Sequence, residues 1–95
     1  MRDTIRTLHP EKKQGVNISR EKYETIRNAI LCVLQAQQQK EMTFMKLSRA
    51  VEKQVNGNFD GSVMWYVTTV KLDMEARGEI KRVQNSRPQL VKLTG

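Results

Sequence analysis

Three stretches of the chain repeat apolar residues at helical spacing, and two short runs near the C-terminus follow them. Tyr23, Ile26, Ile30, Val33 and Leu34 share one helix face, which predicts a first helix over roughly Arg20 to Ala36. Ser19 is placed to cap its N-terminus, and Glu21 and Glu24 suit the positive end of its dipole. Leu47, Ala50, Val51 and Val55 form the apolar stripe of a second helix, with Lys46, Arg49 and Lys53 on its other side. Thr43 caps it, and Met42 or Phe44 adds a short strand contact ahead of it. Asn56-Gly57-Asn58 stops this helix, because Asn and Gly tolerate positive φ. Asp60 or Ser62 caps a third helix whose core face is Val63, Tyr66, Val67, Val70 and Met74. Gly78 follows Arg77 where a helix-terminating glycine belongs. Glu79 to Val83 and Gln89 to Leu93 read as two strands joined by a turn at Asn85-Ser86-Arg87-Pro88.

The fold class is therefore mainly α with a small β-hairpin (α+β): a three-helix bundle and a C-terminal hairpin. Residues 1–18 lack such periodicity, and Pro10 and Gly15 punctuate them, which predicts a basic, flexible N-terminal arm. Residues 19–95 form the single domain. Three helices followed by a hairpin is the winged-helix order, with the second and third helices as a helix-turn-helix and the hairpin as the wing. Lys22-Tyr23, Thr43-Phe44 and the run from Gly61 to Gly78, with Met64-Trp65-Tyr66 and Leu72-Asp73-Met74-Glu75-Ala76-Arg77 inside it, carry a family resemblance. From Ser19 to Leu93 the chain resembles a family of small uncharacterised bacterial winged-helix proteins. That resemblance implies a fold and a generic expectation of DNA binding, and supplies no site residues.

Size and charge narrow the picture. Ninety-five residues make one domain, which buries about 60–65% of its unfolded surface. The longest apolar run, Ala29 to Leu34, is too short to span a membrane, and no signal peptide is visible behind the polar stretch Met1 to Leu8. The lone cysteine, Cys32, cannot form an internal disulfide, so cytoplasmic residence is the simple expectation. A formal net charge of +7 favours a polyanionic partner. The charge is uneven: residues 79–95 carry Lys81, Arg82, Arg87 and Lys92 against Glu79, whereas the third-helix segment is slightly acidic through Asp60, Asp73 and Glu75.

Double-stranded DNA is the expected partner. Lys81, Arg82 and Arg87 on the hairpin are candidates for phosphate or minor-groove contact, though a solvated hairpin would carry the same charges to avoid edge pairing. Lys46, Arg49 and Lys53 would meet phosphates along the second helix. On the third helix, Lys71, Thr68, Met64 and Glu75 are read as the face away from the core. Lys71 there would reach a guanine or phosphate, and Thr68 a phosphate or a thymine methyl. Ser62 marks a helix N-terminus able to donate N–H groups to phosphate. The same face offers no Arg, Asn or Gln for reading bases. Arg2, Arg6, Lys12 and Lys13 would make a groove-seeking or dimer-swapping arm. Trp65 is expected to pack under the first helix or the hairpin, and Cys32 to be buried in the first helix.

Catalysis is hard to build from these residues. His9 is the only histidine, no Ser or Cys has an identifiable base partner, and no Cys/His cluster has metal-ligand spacing. No cofactor is expected, since Gly57 and Gly61 belong to a helix-to-helix turn. The competing expectation is a protein-interaction module working through the third-helix face, or a homodimer, without DNA binding.

Overall fold

A computed structural model describes residues 3–13, 15–55, 59–83 and 88–94. It is an α+β fold of three helices and two small antiparallel sheets. The helices fall where the apolar periodicity puts them: α1 is Arg20–Gln35, α2 is Phe44–Val55 and α3 is Val63–Ala76. Each is started by a side chain that satisfies an otherwise unpaired backbone N–H. Ser19 Oγ accepts from Lys22 N at 3.4 Å, Thr43 Oγ1 from Lys46 N at 3.2 Å, and Ser62 Oγ from Trp65 N at 3.2 Å. Helix α3 ends at Gly78, whose φ of +79° suits a residue without Cβ. Glu79 N–H bonds to Met74 O at 2.9 Å and Gly78 N–H to Glu75 O at 3.1 Å, the paired closure that ends a helix in a left-handed residue.

The strands are short. β1 is Thr4–Arg6 and β2 is Asn17–Ser19, while β3 is Glu41–Thr43, β4 is Ile80–Arg82 and β5 is Leu90–Leu93. β5 lies between β3 and β4, with Met42 opposite Val91 and Ile80 opposite Leu93. The segment before α2 thus joins the C-terminal hairpin, as the sequence suggests through Met42. Ile80 and Val91 point inward and close the base of the core formed by Ile26, Ile30, Leu34, Leu47, Val51, Val67, Val70 and Met74.

Residues 1–18 depart from the expected flexible arm. β1 and β2 pair as a hairpin, with Ile5 opposite Ile18, and Ile18 is buried in the core. Thr7 N–H bonds to Val16 O at 2.8 Å, and Val16 N–H to Thr7 Oγ1 at 3.0 Å. Gly15 is dictated by this approach: a Cβ there would stand 1.7 Å from the Thr7 carbonyl oxygen. Arg2 lies outside the described residues, as do the turns expected at 56–58 and 85–87.

What anchors this hairpin is a carboxylate inside the protein. Asp73 of α3 has no solvent exposure. A buried charge is tolerable only when paired and hydrogen-bonded. Arg77 Nε donates to its two oxygens at 3.1 and 2.9 Å, Leu8 N–H donates to Oδ1 at 2.8 Å, and the Tyr23 hydroxyl of α1 donates to Oδ2. Arg27 of α1 ties the same end of the bundle to Glu79, with Nε donating to Oε1 at 3.1 Å.

Two outcomes follow for stability. Asp73→Ala leaves the Tyr23 hydroxyl and the Leu8 N–H without their acceptor, and should cost on the order of 3 kcal/mol in urea unfolding. Burial pushes the Tyr23 hydroxyl up to about 12, reinforced by its bond to Asp73 and the charge there. In the unfolded chain the group ionises near about 10. The folded chain therefore keeps a proton that the unfolded chain has released. Its contribution is complete below about pH 10 and is lost as pH rises toward about 12. Alkaline unfolding should show this loss in the native protein and not in Tyr23→Phe.

Candidate nucleic-acid interface

The amphipathic pattern of α2 leaves its basic side open. Lys46, Arg49 and Lys53 are all exposed, and none is held in an ion pair among the described residues. Arg49 and Lys53 line a cleft at the junction of α2 and α3 together with Glu52, Phe59, Ser62 and Met64. Ser62 is exposed at the start of α3, and its own hydroxyl already caps Trp65 N. The N–H groups of the first turn still project from that helix end, where the dipole is positive. Two cations and one helix N-terminus therefore converge on the cleft, with Glu52 the one acid lining it. Lys46 lies apart, over a shallow cleft with Gln37, Thr43 and Leu90.

Lys81 and Arg82 lie on β4, the edge strand of the sheet, and both are exposed. Lys81 stands opposite Lys92 on β5, while Glu41 faces Lys92 from β3. Cross-strand neighbours of opposite charge offset each other, so Glu41 serves Lys92 and leaves Lys81 to solvent. Arg87 lies outside the described residues. Arg6, Lys12 and Lys13 line a separate cleft with His9 and Ala76, at the tip of the N-terminal hairpin.

Lys71 requires a correction. It is expected on an open face of α3 but is 5% exposed. Its Nζ stands 2.8 Å from Glu75 Oε1, 3.5 Å from Gln89 Oε1 and 5.1 Å from the centre of the Phe44 ring. The charge is used inside the protein, and Lys71 is not free to reach a base or a phosphate. Glu75 turns inward with it. Asp73 is buried as well, so both acids of α3 are neutralised by their own partners.

What remains open on α3 is its N-terminal half: Met64, Trp65 and Thr68 are exposed. Trp65 also departs from expectation, being 46% exposed instead of packed in the core. It rests edge-to-face against Tyr66, ring centres 4.9 Å apart, and Tyr66 rests likewise on Phe59 at 5.0 Å. Lys22 Nζ stands 5.4 Å from the Tyr66 ring centre and 5.8 Å from that of Phe59, within the range of a cation–π attraction. Cys32, expected to be buried, faces outward on α1.

Sequence reasoning missed Asp73 as a core residue and Met45 as an exposed apolar one. Asp73 sits three residues after Val70 and four before Arg77, so its place on the inward face and its i+4 partner were both readable. Among the described residues no group of three or more His, Cys, Asp or Glu is placed to hold a metal ion, and no helix is long and apolar enough to cross a membrane.

These features define a small α+β protein with a basic cleft between two helices. The chain belongs to DUF6958, a family of unknown function, which it matches over residues 4–90. The match begins at Thr4, so it takes in the N-terminal hairpin. Searches among curated proteins and among solved structures find no match to this chain.

Two substitutions separate the structural lysine from the exposed ones. Lys71→Ala leaves Glu75 without its partner and should destabilise by on the order of 2 kcal/mol. Lys53→Ala should change unfolding stability by less than about 0.5 kcal/mol. Urea unfolding of both variants checks this.

Proposed function

We propose that this is a winged-helix domain that binds double-stranded DNA, chiefly through its phosphate backbone. The fold half of this reading is supported by the element order and by the sheet order β3-β5-β4, in which the strand ahead of α2 joins the C-terminal hairpin. The observation that carries the binding half is the convergence of Arg49, Lys53 and the N-terminus of α3 on one cleft. Cations and helix N-termini are the groups that grip phosphates and fix register on a duplex. Lys46 on α2, and Lys81 and Arg82 on β4, extend the set of exposed cations available to the backbone. No catalytic role is assigned to any residue, and the protein would act as a small regulator or accessory factor.

Fold alone does not decide between DNA and protein partners. The second reading is a protein-docking face on α3, or a homodimer. It is favoured by the exposure of Met45 (62%), Met64 (50%) and Trp65 (46%), since Trp and Met are enriched at such interfaces.

Anisotropy titration of a labelled duplex against salt tests the first reading. Affinity should fall by about 0.9 log units per tenfold salt for each phosphate contact. Arg49→Ala, Lys53→Ala and Lys81→Ala should each flatten that slope by about 0.9 and weaken all sequences alike. Affinity no tighter than about millimolar at low salt would overturn it. A stable dimer in light scattering, with no salt-sensitive duplex binding, is the outcome expected of the second reading.

A further inference from the structure

Resting on the DNA reading above, we infer that the open half of α3 reads the 5-methyl group of pyrimidines in the major groove. Met64, Trp65 and Thr68 share one outward arc of the helix, at i, i+1 and i+4. All three are exposed. None carries the guanidinium or amide that reads guanine or adenine by paired hydrogen bonds. They present a thioether, an indole and a methyl-bearing hydroxyl side chain. The one feature of the major-groove floor that rewards an apolar contact is the methyl group at C5 of thymine. The indole is held at the surface by the Tyr66 and Phe59 rings behind it, so little side-chain order has to be gained on binding.

The occupant is set by charge. Met64 lines the same cleft as Arg49 and Lys53, so the apolar arc is bordered by cations suited to a phosphate backbone. The nearest acids on its own helix, Asp73 and Glu75, are turned inward and paired. A second copy of this chain, with the same net charge of +7, would be repelled there.

Four duplexes of one length test this: alternating dA·dT, the same with deoxyuridine for every thymidine, alternating dG·dC, and the same with 5-methylcytosine. The native protein should bind the methylated member of each pair more tightly, by about fourfold per contacted methyl. The cytosine pair guards against groove-width effects of A·T-rich DNA. The Trp65 emission (from the sole tryptophan) should change more on the methylated members. Met64→Gln with Thr68→Ser, both surface changes that leave the core intact, should abolish the preference and leave the salt slope unchanged. Equal affinity within each pair, with a steep salt slope, would overturn the methyl reading and leave backbone binding standing. Absence of salt-sensitive binding to all four duplexes would overturn both.

Discussion

A carboxylate with no access to water has to be compensated from within the fold, and in this protein the compensation of Asp73 organises everything around it. Its partners come from three directions: the Tyr23 hydroxyl from α1, the Leu8 amide from the N-terminal hairpin, and Arg77 from the end of α3 itself. Each bond fixes one element against α3. Removing the carboxylate would release all three at once, because each donor would then be left without its acceptor in a region of reduced access to solvent. The Lys71–Glu75 pair does comparable work on the other flank, against Phe44 and Gln89.

The same two networks shape the surface. A third helix with two acids would oppose a polyanion if those acids faced outward. Both face inward, so α3 brings an uncharged, largely apolar N-terminal half to the surface. Positive charge is left to the exposed side of α2 and to the edge strand β4. The division of labour is physical: ionic groups of α3 serve cohesion, while those of α2 and β4 stay hydrated and available. Backbone gripping with limited base reading is what such a surface supports best.

The helices were legible because each carries a single apolar stripe and a capping side chain, and Gly78 marks the end of α3 without ambiguity. The hairpin at residues 3–19 was not. Its strands are three residues long, too short for alternation to register, and its stability comes from Asp73, more than fifty residues away in sequence. Lys71 misled for a related reason. Charged residues are rarely buried unless paired, and its pairing depends on Phe44 and Gln89, which only the folded chain brings near. Trp65 misled in the opposite sense: its size argued for the core, but the aromatic stack on Tyr66 holds it at the surface. The candidate cations on α2 and β4 were readable directly, since an exposed stripe needs no distant partner.

The most direct test of the account is a titration of 15N-labelled protein with a DNA duplex at low salt, followed by amide chemical shifts. Shifts concentrated in Arg49 to Lys53 and Ser62 to Thr68, and reversed by added salt, are the predicted result. Shifts confined to the N-terminal hairpin, or none at all, would contradict the assignment of the α2–α3 cleft as the binding surface.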